Sequence, residues 1–147
     1  MRVLETGDWS LLLPDEWSAE RDDEGIVIGD RDGVGSLEIS ELRKPPDAPN
    51  AGKPLDSEDL SSLLDPALSW SPVVYGSFRG QGARFEEDGA ALREWVLYSG
   101  AVLLYITYSC PLEHRGLDDG AVDDLLATLR YAPDSGGDSD SGSERVN

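Results

Sequence analysis

The chain carries one cysteine and one histidine, and they lie close together in "CPLEHRG", as Cys110 and His114. A thiol and an imidazole are the parts of a nucleophile and its base. Pro111 stands between them and disfavours a helix that would set their spacing. No second histidine exists to complete a triad or a zinc site. A surface histidine beside a half-buried cysteine is therefore the plainer expectation. A small-molecule-binding or hydrolytic pocket near Cys110 and His114 stands as the alternative.

Carboxylates are the other candidates. In "DRDGVGSLE" the order Asp30, Asp32, Gly33 is like the start of a calcium loop. The glycine comes too early, a third early ligand is missing, and Glu38 falls short of the terminal ligand position. A hairpin turn explains the same residues. Asp118 with Asp119, Asp123 with Asp124, and Glu86, Glu87 and Asp88 are acidic clusters that a solvated surface and the helix dipole account for. No phosphate loop, GxSxG, HExxH or CxxC occurs. No catalytic residue, metal or cofactor is expected. Trp70, beside Pro72, is of a type enriched at protein interfaces. Together with Tyr75 and Tyr105 it makes the candidate partner-binding set, while Trp17 and Trp95 are assigned to the core.

The elements that must position these groups follow from composition and pattern. At 147 residues, with 39% hydrophobic content and four tryptophans, the chain suffices for one domain with its own core. Its net charge of -18 opposes binding to nucleic acid or to anionic membranes. Ten arginines stand against two lysines, and eighteen aspartates against twelve glutamates. A surface poor in lysine and rich in aspartate suits a salt-accumulating, halophilic cytoplasm, and equally suits an acidic protein of a high-GC genome. On the first reading, melting temperature rises steeply from dilute buffer to molar KCl; an unchanged melting temperature would refute it. The lone cysteine fits a reducing compartment, and "WSLLLP" is too short for the apolar core of a leader, so a cytoplasmic location is expected.

Along the chain, "RVLET" and "WSLLL" read as strands around Gly7-Asp8, and "GIVIGD" and "GSLEISELR" as strands around Asp30 to Gly33. A proline-rich connection spans 44–54. A short helix follows, with Asp56 or Ser57 as N-cap and Leu60, Leu63 and Leu64 on one face. Four strands come next, "PVVYGSF", "GARFEED", "ALREWVLYS" and "AVLLYITYS", with turns expected at Gly80-Gln81-Gly82, Asp88-Gly89 and Ser99-Gly100. The segment "GLDDGAVDDLLATLRYA" reads as an amphipathic helix, Asp118 and Asp119 at its start and Arg130 at its end. Residues 133–147, rich in Gly, Ser and Asp, read as a disordered acidic tail behind a domain of residues 1–132.

Trp95 to Leu112 holds no charge. A spanning helix needs about twenty predominantly apolar residues, and Ser99-Gly100, three tyrosines and Thr107 argue against one. As a strand, the second half puts Val102, Leu104, Ile106 and Tyr108 on one face and Ala101, Leu103, Tyr105 and Thr107 on the other. Both faces are largely apolar, so both need cover, from this chain or from a partner.

Pro14 with Trp17, Arg93 with Trp95, the run Leu104-Tyr105-Ile106-Thr107-Tyr108 and the closing helix Val122 to Leu129 occur in an order that resembles the PsbP/Mog-like superfamily, with its DcrB-like bacterial members. The resemblance covers residues 9–131. It implies an α+β fold, an antiparallel sheet flanked by helices in an α-β-α sandwich. It also implies a non-enzymatic protein-binding or assembly and chaperone-like module, acting through a protein partner or by self-association.

Overall fold

The computed structural model describes residues 2–6, 8–22, 25–30, 33–42, 63–100, 102–131 and 145–146. The proline-rich connection, residues 56–62 of the expected helix, and the tail other than residues 145–146 lie outside the described residues, while Leu63 and Leu64, expected on that helix, lie in a turn. Strands β1 (Arg2–Glu5) and β2 (Trp9–Leu13) form the first hairpin. Its turn is held by Thr6 Oγ1, which accepts from the backbone N–H of Asp8 and of Trp9, both at 3.1 Å. Strand β10 (Arg130–Tyr131) adds to β2, and β11 (Arg145–Val146) lies parallel to β1, which completes a four-stranded sheet.

The larger sheet is antiparallel throughout and has the order β3-β4-β5-β9-β8-β7-β6. Its strands are β3 (Trp17–Asp22), β4 (Gly25–Asp30), β5 (Ser36–Leu42), β6 (Ser71–Tyr75), β7 (Phe78–Glu87), β8 (Ala90–Ser99) and β9 (Val102–Pro111). The chain leaves β5 in the middle of the sheet, re-enters at the far edge as β6, and meanders back until β9 pairs with β5. The uncharged run supplies β9 and the end of β8, at the centre of the sheet, as its β-branched and aromatic content requires. After β9 a 3-10 turn (Leu112–His114) leads to α1 (Asp119–Leu126).

The core lies between the two sheets and α1. Leu4, Trp9, Leu11 and Leu13 meet Ile28, Leu37, Ile39, Trp95, Leu104 and Ile106, with Val122, Leu125 and Leu126 from the helix. Trp17 is buried there too, as expected. Among the described residues no helix is long and apolar enough to cross a membrane.

Three expectations need correction, and one strand was not anticipated. The described residues are mostly β, two sheets and one helix, rather than a sheet flanked by helices. Strand β3 went unread because only Trp17 and Ala19 turn inwards while Ser18, Glu20 and Arg21 are exposed, too weak an alternation for the period to register. The turn expected at Gly80-Gln81-Gly82 falls instead at Gly76-Ser77, and β7 runs unbroken through the two glycines. They serve close strand packing, since a Cβ on Gly82 would lie 2.9 Å from Trp95 Cδ1. Finally, the last helix stops at Leu126 and Arg130 lies in β10, so no basic residue closes its dipole. The edge of β2 captures the chain: Leu12 N–H donates to Thr128 Oγ1 at 2.9 Å, and Thr128 donates to Leu125 O at 2.7 Å.

Candidate functional site

Each face of the large sheet carries a candidate. Antiparallel register places opposed residues on one face, so the pairings Arg84↔Arg93↔Tyr108 make a row that faces α1. Long side chains from this row reach the acidic side of the helix. Arg93, only 8% exposed, donates to Asp123 at 2.9 Å and to Asp119 at 3.3 Å. Its guanidinium lies over the ring of Trp95, 4.6 Å from the centroid. Arg84 pairs with Asp119 at 3.1 Å. The Trp95 indole donates to Tyr75 Oη at 3.2 Å, and Tyr75 donates to Asp123 at 3.0 Å. The Tyr108 hydroxyl donates to Asp118 at 2.6 Å. Burial pushes the Tyr108 pKa well up, and the hydrogen bond to Asp118 adds to the shift. This polar seam fastens the helix to the sheet.

On either side of the seam the rows include short residues, and the face sinks at those positions. Glu86↔Ala91↔Cys110 forms one such row, and a cleft of about 380 Å³ opens there, lined also by Arg84, Arg93, Arg115 and Tyr108. On the other side Gly82 leaves a second cleft of about 400 Å³ against Ser71, Tyr75 and Trp95. Cys110 thus lines a cleft, as the alternative reading requires. His114 does not share that lining; its ring is 40% exposed and Nε2 lies 3.5 Å from Glu113. Burial pushes the Cys110 thiol up, and the nearby carboxylates of Asp118 and Asp119 push the same way. That direction disfavours the thiolate, the nucleophilic form.

The outer face is different in character. Val96 and Leu103 form a second, smaller buried cluster, with Leu64, Trp70, Tyr98 and Tyr105 packed partly exposed against it. The row Val74↔Arg79↔Tyr98↔Leu103 runs from this cluster to the edge strand, where Val74 is 74% exposed. Arg79 lies over the Tyr98 ring at 5.5 Å. Trp70 is set by the Asp65-Pro66 turn: its indole donates to Asp65 O at 2.9 Å, and Asp65 Oδ1 accepts from Ala67 N–H at 2.9 Å. Burial, then Glu94, pushes the Tyr105 pKa to about 12.

Of the three partner-binding candidates, the structure brings Trp70 and Tyr105 together on the outer face and sets Tyr75 in the seam on the other. Sequence reading missed the seam itself. Its signal was available in "ALREWVL", where a period of two puts Arg93 on the same face as Ala91, Trp95 and Leu97; an arginine in that inward phase demands acidic partners.

No protein-family model matches the chain, and no curated protein matches it in sequence. Solved structures do match. A protein from Bacteroides thetaiotaomicron VPI-5482 aligns at TM-score 0.61 and 20% identity over 84% of this chain and 44% of its own. The chain thus spans less than half of that protein. The cyanobacterial PsbP protein (CyanoP) of Synechocystis sp. PCC 6803 aligns at TM-score 0.53 and 11% identity, over 84% of this chain and 86% of its own. LpqN of Mycobacterium tuberculosis, a protein involved in cell envelope biogenesis, aligns at TM-score 0.47 and 16% identity, over 84% of this chain and 82% of its own. The fold is PsbP-like, in agreement with the resemblance carried by the residues.

Proposed function

We propose that this chain is a non-catalytic binding module that holds a protein partner against the outer face of its seven-stranded sheet. The observation that carries the reading is the small apolar cluster of that face, Val96 and Leu103 with Trp70, Tyr98 and Tyr105 half-buried around it, continued past Arg79 to exposed Val74 at the edge. Half-buried aromatic side chains around a small apolar cluster are the composition of a binding hot spot. Net charge selects the partner. Two copies of a chain at -18 repel each other, so a partner protein with a basic rim fits better than self-association. The PsbP-like fold, which the sequence resemblance links to binding and assembly proteins, supports the same reading. So does the cleft lining, which holds Cys110 without His114, while burial disfavours the Cys110 thiolate.

The test is retention of a partner from native lysate by wild-type and variant chains, followed by light scattering on the purified complex. Tyr105→Arg puts a cation into the aromatic patch and is expected to weaken retention at least tenfold, the loss of about 1.4 kcal/mol that one good contact carries. Replacing Cys110 and His114 together by alanine should leave retention unchanged. Equal retention by wild type and Tyr105→Arg, or a strictly monomeric wild type that retains no partner, would overturn the reading.

A further inference from the structure

The cleft beside the seam has a charge character opposite to that of the chain. Overall, 30 acidic residues face 12 basic ones. The lining of the 380 Å³ cleft holds three arginines, Arg84, Arg93 and Arg115, against two carboxylates, Glu86 and Asp119. Asp118 and Asp123 stand behind them on the helix and are engaged by Tyr108, and by Tyr75 and Arg93. We propose that this cleft binds a small monocarboxylate, with Arg84 and Arg115 taking the carboxylate and the depression over Ala91 and Cys110 taking its apolar body.

The register builds that depression. Ala91 and Cys110 are opposed in one cross-strand row and carry the shortest side chains on the helix-facing surface there, so the floor is both low and apolar. The volume falls in the range of about 300 to 1,000 Å³ in which small-molecule sites lie. The two outer arginines are free to exchange partners. Arg84 is 55% exposed and Arg115 is 63% exposed, and each is held by a single acid, Asp119 and Glu86. Exposed single pairs of this kind are weak, and a two-pronged guanidinium–carboxylate bond can replace them. Arg93 is fixed by two acids and by Trp95, and so supplies positive potential rather than a movable contact. The field of the whole chain decides the ligand's charge. A surface at -18 raises the cost of each added negative charge, which favours a monoanion over phosphates and dicarboxylates.

The site is on the opposite face from the partner surface proposed above, so the two proposals fail separately. Calorimetry at low ionic strength, on the full chain, would compare benzoate, phenylacetate and hexanoate, each with its neutral amide. At least one acid is expected to bind about tenfold tighter than its amide, the worth of one charge-assisted hydrogen bond over a neutral one. Arg84→Gln and Arg115→Gln should each erase most of that preference without weakening the amide. Both positions are exposed, so both variants should fold. Tyr105→Arg should leave the preference intact. Ala91→Leu, which fills the floor, should abolish binding of acid and amide alike. The proposal is overturned if no acid binds more tightly than its amide, or if the preference survives the double Arg84→Gln, Arg115→Gln change.

Discussion

Replacing Arg93 by alanine should destabilise the fold by about 2 to 3 kcal/mol, while the same change at Arg84, in the same cross-strand row, should cost under about 1 kcal/mol. The two arginines differ both in burial and in the number of partners they hold. Arg93 has a side chain 10% exposed and holds Asp119 and Asp123 at once; Arg84 is 55% exposed and holds Asp119 alone. Removing a buried cation strands its acids, and here it also strips the cation from the face of Trp95. The aspartates keep 33% and 44% exposure, so water recovers part of the loss and the effect falls below the extreme for a fully enclosed pair. Lysine should restore little, because a point charge can neither stack on the indole nor fork between two carboxylates. Urea unfolding of Arg93→Ala, Arg93→Lys and Arg84→Ala separates these outcomes. A double-mutant cycle between Arg93→Ala and Asp123→Asn should give a coupling of at least about 1 kcal/mol. Equal losses at Arg93 and Arg84 would show that the seam does not hold the helix.

The expected loss is large because the contact between helix and sheet is small. Helix α1 has eight residues and buries Val122, Leu125 and Leu126. Few apolar contacts leave the polar seam a large share of the docking energy. The seam also fixes the walls of both clefts, since Arg84 and Arg93 line each of them. An Arg93 variant should therefore lose the cleft's carboxylate preference along with stability, whereas Arg84→Gln should lose the preference alone.

What the sequence made legible follows from how local each signal is. Alternation in "GSLEISEL" and "AVLLYITY" assigns the buried faces of β5 and β9 correctly, because a period of two is a property of neighbouring residues. Asp88-Gly89 is read correctly as a two-residue hairpin turn; both residues have positive φ, 53° and 83°, the combination such turns require. Arg93 is harder to read. The alternation places it on the inward face, but its partners Asp119 and Asp123 lie far along the chain, so identifying them needs the folded register. The same limit hid the clefts. Ala91 and Cys110 become a depression only when strand pairing sets them side by side. The split of Trp70 and Tyr105 from Tyr75 likewise depends on which face each strand turns towards the helix.

Glycine gives the sharpest case, and the largest expected effect. Gly80→Ala should destabilise by about 4 kcal/mol or more, comparable with the lower end of a domain's whole stability, and should remove most soluble protein on expression. Gly89→Ala should cost about 1 kcal/mol. Gly89 sits in the turn with φ 83°, and a Cβ there meets nothing within 4 Å, so alanine suffers only from the backbone conformation. Gly80 lies within β7, opposed to Leu97, and its Cβ would stand 1.9 Å from the carbonyl oxygen of Val96. That neighbour is backbone and cannot rotate away. To admit the methyl group, β7 must separate from β8 where the two strands are paired continuously from Arg79↔Tyr98 to Glu87↔Ala90. The displacement would also move the row of Arg84 and Arg93 that holds the helix. Thermal melts and soluble yields of the two variants, made side by side, test the difference. Equal tolerance at both positions would mean that β7 and β8 do not approach as closely as this register requires.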